Sequence, residues 1–303
     1  MRLVVTGKVG QVASALVEAG ARRGVEIVTV GRPEFDLSGP QGGLTRLADA
    51  RPDVIVSAAA YTAVDKAESE AESAERVNAG GPAALAGLAH QLDIPIIHLS
   101  TDYVFDGSKS VPYAEDDPTN PLGVYGATKL RGELAVASAT ANHAILRTAW
   151  VYSPFGNNFL KTMLRLSTTR PELRVVADQC GNPTSAFDIA EAVLAVANNL
   201  VSRRGEAALR GVFHLAGTGD VSWAGFAAEI FSASGSLGGP RAEVVPIAAA
   251  DYPTAARRPA NSRLDTTKLR AVHGVIMPAW QQSTHHVICR LLASKDGLEY
   301  LRS

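Results

Sequence analysis

Cysteine is scarce in this chain of 303 residues: there are two, Cys180 and Cys289. Two thiols so far apart supply neither a disulfide framework nor the paired spacing of a zinc site. The expectation is two buried, inert thiols in a reducing compartment. Charge of one sign is also missing. Lys and Arg number 29 against 30 Asp and Glu, a net charge of −1. That excludes the basic surface that holds a nucleic-acid backbone, and no acidic tail is present. Any phosphate site must be built locally. Long apolar runs are absent: each is interrupted well short of the ~20 residues that cross a bilayer. Residues 1–7 run into a short apolar strand without the longer apolar stretch and cleavage site of a signal peptide. A cytoplasmic protein with no membrane partner is therefore expected. What remains is 46% hydrophobic and 19% charged, the balance of a globular chain. Its length allows one large domain or two ordinary ones.

Short apolar runs at 3–5, 26–30, 53–57, 94–99, 144–150 and 211–215 read as strands. Between them, 10–23, 73–92, 124–139, 158–166 and 185–200 read as helices. Strands this apolar are buried on both faces, as in a parallel sheet. Their alternation with helices predicts an α/β fold, a doubly wound parallel sheet of Rossmann type with a smaller C-terminal substrate-binding domain. The expected division is 1–150 plus about 185–217 for the dinucleotide, and 151–184 plus 218–303 for the substrate. Residues 232–240 read as a loop, and 257–262 as a polar, proline-broken segment before a helix.

The first strand meets the first helix at Thr6-Gly7-Lys8-Val9-Gly10-Gln11-Val12-Ala13, spaced G-x-x-G-x-x-A. Gly7 permits a tight turn, Gly10 lets amides approach a pyrophosphate at the helix N-terminus, and Ala13 is small enough for close helix–strand packing. The second strand ends in Val30-Gly31-Arg32. An acidic residue immediately there would bond the ribose 2′-hydroxyl and disfavour a 2′-phosphate. Gly31 and Arg32 point instead to NADPH, with NADH as the alternative; a solvent-exposed arginine explains Arg32 equally. Asp36 and Leu37 stand where the adenine or its ribose would lie.

A second constellation follows. The strand at 94–99 leads into Ser100-Thr101-Asp102-Tyr103, at the carboxyl end where such sheets bind ligands. Tyr125 and Lys129 are four apart and share a helix face. A phenol with an ordinary pKa of ~10 is a poor acid–base at neutral pH, and a neighbouring ammonium would lower it. Tyr125 could then protonate a carbonyl oxygen while hydride reaches its carbon. Asn78, mid-helix, is unusual by propensity: it either orders groups near the tyrosine or sits on the surface. His98 reads as a satisfied core histidine, and His285 and His286 as surface or partly buried residues.

With these residues the chain resembles the extended short-chain dehydrogenase/reductase superfamily. More narrowly, residues 58–68 (AAAYTAVDKAE), STDYVFDG at 100–107, RTAWVY at 147–152, DQCGNPT at 178–184 and RRPANSRLD at 257–265 are similar to the dTDP-4-dehydrorhamnose reductase family. The resemblance implies NADPH- or NADH-dependent reduction of the C4 ketone of dTDP-6-deoxy-L-lyxo-4-hexulose to dTDP-L-rhamnose. It implies that Thr101, Tyr125 and Lys129 do the chemistry. Gly7, Gly10, Gln11, Val12, Arg32, Asp36, Leu37, Ala60, Tyr61 and Thr62, with Tyr125 and Lys129, would hold the cofactor. Thr101, Asp102, Tyr103, Trp150, Arg258 and Asn261 would meet the substrate, with Arg257 and Arg258 offering donors to its diphosphate. Relatives that dimerise through Mg²⁺ carry a glutamate in the first helix where this chain has Ala15, so no metal is expected although Asp188 and Glu191 remain. A monomer or homodimer follows. Two other readings stay open on the same fold: an NADP-binding regulatory subunit of methionine adenosyltransferase type, and a nucleotide-sugar epimerase or dehydratase.

Overall fold

A computed structural model describes residues 1–39 and 43–302. Residues 40–42 and 303, inside the expected domain ranges, lie outside the described residues. The first half alternates β1 (Arg2–Thr6), α1 (Gln11–Arg23), β2 (Glu26–Val30), α2 (Leu44–Asp49), β3 (Val54–Ser57), α3 (Val64–Ala67), α4 (Ala71–Glu75), α5 (Gly81–Gln91), β4 (Ile96–Thr101), α6 (Val124–Ala139) and β5 (His143–Thr148). The second half carries β6 (Val151–Tyr152), α7 (Phe159–Ser167), β7 (Glu172–Val176), β8 (Cys180–Gly181), β9 (Thr184–Ser185), α8 (Ala186–Ser202), β10 (Gly211–His214), β11 (Val221–Ser222), α9 (Trp223–Ser236), β12 (Glu243–Ile247), α10 (Thr267–His273), α11 (Trp280–Ala293) and α12 (Lys295–Arg302).

Six strands form one sheet in the order β10–β5–β4–β3–β1–β2, every pair parallel. The two-residue period of a strand sorts its side chains into two cores. Leu3, Val5, Val56, Ile97 and Leu146 face α1 and α8. Val4, Ile55, Ile96 and Ile145 face Leu85 and Leu88 of α5 and Val136 of α6. Both faces are thereby covered, which is why these strands read as unbroken apolar runs. From β1 the chain moves outward to β2 and then back across to β3. The reversal opens a crevice at the carboxyl ends of β1 and β3, where ligands of such sheets bind. Beyond the sheet lie three small strand pairs, β6–β9, β7–β12 and β8–β11. Among the described residues no helix is long and apolar enough to cross a membrane.

Several elements differ from the sequence expectation. The helix over 73–92 is three pieces, α4, a π-helical turn at Arg76–Gly80, and α5, because the Asn78 side chain turns inward. The strand over 144–150 stops at Thr148, and Trp150 adopts φ +46°. Residues 232–236 are helical, not loop: α9 continues through them because Ala227, Ile230, Phe231 and Ala233 are buried, and packing overrides the weak propensity of Ser and Gly. Both cysteines are partly exposed rather than buried.

Candidate active site

The glycine loop leaves β1 with Gly7 at φ +100°, a conformation costly for any residue with a Cβ. Its N–H donates to Val30 O at 2.7 Å, joining the ends of β1 and β2. Thr6 Oγ1 accepts from Ala58 N and Ala59 N, each at 3.0 Å, and draws in the loop that carries Ala60, Tyr61 and Thr62. Gly10 caps α1 with no side-chain bond, and the first turn has no acidic residue. The first amides and the positive end of the helix dipole therefore face outward. A Cβ on Gly10 would meet nothing within 4 Å, so the approach is open. Val12 packs on the core. Asp36 and Leu37 line a pocket of about 180 Å³ with Phe35, Arg76 and Gly81. These features fit a dinucleotide laid across α1 with its adenosine beyond β2.

Gln11 and Arg32, two of the expected cofactor residues, have these surroundings. The Gln11 side chain points away from the sheet edge: its Oε1 accepts from Ser153 Oγ at 2.7 Å and from Asn158 Nδ2 at 3.0 Å. Only its backbone is left to face phosphates. Arg32 is exposed and exerts its field on Asp36. The carboxylate missing from the strand end is replaced by Glu34, which folds back onto Lys8 of the glycine loop.

Thr101 is the last residue of β4 and caps a short 3₁₀ turn, accepting from Tyr103 N at 3.2 Å and donating to Asp102 Oδ1 at 3.0 Å. The Thr101 hydroxyl lies close enough to the Tyr125 phenol to pull its pKa down, and the Tyr103 ring meets Tyr125 edge-on with centroids 5.6 Å apart. Asp102 is 2% exposed. Burial raises its carboxyl to about 6, with the Ser262 and Thr101 hydroxyls pulling the other way.

Lys129, on the same face of α6, donates to Leu99 O at 2.6 Å and lies 3.5 Å from His98 Nε2. Burial brings it down to about 8 despite Glu133 one turn on. The expectation that its ammonium lowers the phenol is corrected here. Lys129 is committed to the β4 backbone, and Tyr125 is pushed up to about 12 by burial, with the Thr101 bond opposing and Asp102 adding to the rise. The phenol is thus held firmly protonated. His98 is a satisfied core histidine, its Nδ1 3.0 Å from Ser57 Oγ.

What fixes α6 was only partly visible in the sequence. Asn78 is fully buried. Its Oδ1 accepts from Tyr61 N at 2.8 Å, and its Nδ2 donates to Tyr61 O and Thr128 Oγ1 at 3.2 and 3.0 Å. One amide therefore ties the cofactor loop to the tyrosine helix. Gly132 permits the approach, since a Cβ there would stand 2.1 Å from Asn78 O. Glu133 forms a buried pair with Arg147 of β5 at 2.8 Å and accepts from Ser100 Oγ at 2.5 Å. Its i+4 spacing from Lys129 was the available signal.

On the substrate side, Trp150 stacks on Trp223 with centroids 3.5 Å apart and an interplanar angle of 7°. Sequence reasoning missed Trp223, which the small strand β11 delivers. Arg258 is half-buried, pairs with Asp65 Oδ2 at 2.8 Å and faces the Tyr103 phenol. Arg257 is exposed. Asn261 departs from its expected role. Its Nδ2 donates to Lys109 O and Val111 O at 2.6 and 3.0 Å, and its Oδ1 accepts from Arg263 N and Nε at 3.1 and 2.8 Å. That side chain joins the 109–111 segment to its own 261–263 segment, and the hydroxyl of neighbouring Ser262 helps lower the Asp102 pKa.

Ala15 is fully buried, Glu191 is held by Arg22 and Arg23 at 3.0 Å each, and Asp188 accepts from Ser283 Oγ at 2.5 Å. These residues do not fit a divalent cation. Among the described residues no group of three or more His, Cys, Asp or Glu is placed to hold a metal. His285 and His286 are exposed.

Comparison with known proteins agrees with this geometry. The chain is 56% identical over 298 residues to a dTDP-4-dehydrorhamnose reductase of Sinorhizobium fredii (strain NBRC 101917 / NGR234), covering 98% of this chain and 100% of that one. A crystal structure of a dTDP-4-dehydrorhamnose reductase from Clostridium acetobutylicum ATCC 824 matches with TM-score 0.88 and 36% identity, covering 96% of this chain and 100% of that one. Another, from Bacillus anthracis str. Ames in complex with NADP, matches with TM-score 0.86 and 32% identity, covering 95% and 99%. The family model described as the RmlD substrate binding domain matches residues 1–293. A glycine loop, a threonine–tyrosine pair above a buried lysine, and this full-length likeness place the chain in the dTDP-4-dehydrorhamnose reductase family of NAD(P)H-dependent oxidoreductases.

Proposed function

We propose that this chain reduces the C4 ketone of dTDP-6-deoxy-L-lyxo-4-hexulose to the alcohol of dTDP-L-rhamnose, with Tyr125 as proton donor. The observation that carries the reading is Tyr125, one helix turn from Lys129, placed near Thr101 at the carboxyl end of β4, on the same edge of the parallel sheet as the open N-terminus of α1. NADPH, or NADH, supplies the hydride to C4 when bound. The residues do the rest. Thr101 and Tyr125 hold the ketone oxygen between two hydroxyls. The Tyr125 O–H proton moves to that oxygen as the new C–H bond forms, so ketone plus hydride plus proton gives the alcohol. Lys129, buried and cationic below pH about 8, holds the nicotinamide ribose.

Asp102 accepts from a sugar hydroxyl, the Trp150–Trp223 stack bounds the nucleotide-sugar pocket, and Arg258 leans from Asp65 toward the diphosphate. Residues 1–150 with about 185–217 serve the cofactor, and 151–184 with 218–303 serve the substrate. The enzyme works in the cytoplasm as a monomer or homodimer without metal. Purified protein given the hexulose and NADPH is expected to consume reduced-nicotinamide absorbance and release dTDP-L-rhamnose. Absence of product with either nicotinamide would overturn the reading.

A further inference from the structure

Lys8 lies between the two glycines of the first loop, and its side chain crosses to the end of β2, where it forms an ion pair with Glu34. Gly31 lets it cross: a Cβ there would stand 3.3 Å from Lys8 Cγ and from Lys8 N. The positive field of Arg46, in α2, also reaches the Glu34 carboxylate, and that of Arg32 reaches Asp36. Three cations and two carboxylates, Glu34 and Asp36, thus gather where β1 and β2 end, the place where a dinucleotide's adenosine ribose lies in this kind of sheet. Lys8 and Glu34 are 37% and 43% exposed at the side chain. A pair so wet is held only weakly, and a more highly charged partner can separate it.

We infer that the Lys8–Glu34 pair sets the choice between 2′-phosphorylated and 2′-hydroxyl dinucleotides: Lys8, with Arg32, holds a 2′-phosphate, while Glu34 competes for Lys8 and accepts from a 2′-hydroxyl. This rests on the dinucleotide reading of the glycine loop. A phosphate dianion gains charge-assisted bonds from Lys8 and Arg32 but must displace Glu34, a like charge. A ribose hydroxyl leaves the pair intact and finds an acceptor in it. The arrangement admits both cofactors and makes their ratio a property of two side chains.

The test is calorimetric binding of 2′-phospho-ADP-ribose and ADP-ribose, which carry no nicotinamide and report no turnover, alongside NADPH and NADH. The quantity read is the ratio of dissociation constants, unphosphorylated over phosphorylated. Glu34→Gln is expected to raise that ratio and Lys8→Met to lower it, each by about fivefold, the equivalent of ~1 kcal/mol for one exposed charge. Lys8→Arg, which keeps the charge, is expected to retain the wild-type ratio. Ratios unmoved by both charge-removing variants, or moved in the same direction by both, would overturn the inference while the dinucleotide reading stands. A wild-type protein that binds none of the four ligands would overturn the dinucleotide reading and this inference with it.

Discussion

Tyr125 is a phenol held protonated by burial, pushed up to about 12, and a donor must carry its proton until hydride arrives. Tyr125→Phe keeps the ring against Tyr103 and removes the proton. Turnover is expected to fall by ~10²–10⁴-fold with dinucleotide affinity unchanged; a variant retaining most of its kcat would exclude Tyr125 from the mechanism. Lys129→Met is expected to weaken both kcat and dinucleotide binding, because the ammonium ties α6 to Leu99 O of β4 and is proposed to hold the ribose, and normal dinucleotide affinity would remove the second role. Asp102 carries a stability signature as well. Its carboxyl is held at about 6 against an ordinary 3.8. Its bound proton favours the fold below pH about 4, and that contribution is lost as pH rises through about 6. Above that the buried charge costs on the order of 3 kcal/mol. Asp102→Asn should therefore melt above the wild type near pH 7 and together with it near pH 4, while raising KM for the nucleotide sugar. Equal melting temperatures at both pH values would show that the carboxylate is not penalised.

The element that matters most is α6, which carries Tyr125 and Lys129 and is anchored twice. One anchor is Asn78 in the π-helical turn, with three bonds to Tyr61 and Thr128. The other is the buried Glu133–Arg147 pair with Ser100. Asn78→Ala leaves partly buried backbone groups of Tyr61 without their side-chain partner, each worth ~1–3 kcal/mol at most. Gly132→Ala forces a Cβ against Asn78 O and levers α6 off the turn, an overpacking cost of ~1–3 kcal/mol. Urea midpoints should fall in both variants, and kcat should fall further in Gly132→Ala than the stability loss alone explains. Wild-type kcat in that variant would mean that the helix position is not critical to the chemistry.

At the scale of the molecule, the face shared by α1 and α8 is neutralised within the chain. Arg22 and Arg23 hold Glu191, Arg290 holds Glu18, and Ala15 offers no oxygen. A hard divalent cation needs a near-complete shell of oxygen donors and would compete here with three guanidinium groups. Chelator is therefore expected to change neither the steady-state rate nor the sedimentation coefficient; loss of a dimer with EDTA would reveal a metal site built from other residues.

Fold class, and the placement of Thr101 at a strand end and of Tyr125 and Lys129 on one helix face, were legible in the sequence because short-range geometry encodes them. A glycine turn opens a helix, a strand ends at a threonine, and a four-residue spacing places two side chains on one helix face. None of these depends on how distant segments dock. The contacts that shape the rest of the site do. Asp65 and Arg258 are 193 residues apart, Trp150 meets Trp223, and Asn261 acts as a clamp because one distant loop brings the carbonyls of Lys109 and Val111 to it. The tyrosine's ionisation followed the same division. Spacing suggested a lysine beside a phenol, but the sheet backbone at Leu99 takes the ammonium, and burial by the surrounding elements governs the phenol's pKa. Desolvation arises from everything packed around a group, so it could not be read from neighbours in the sequence.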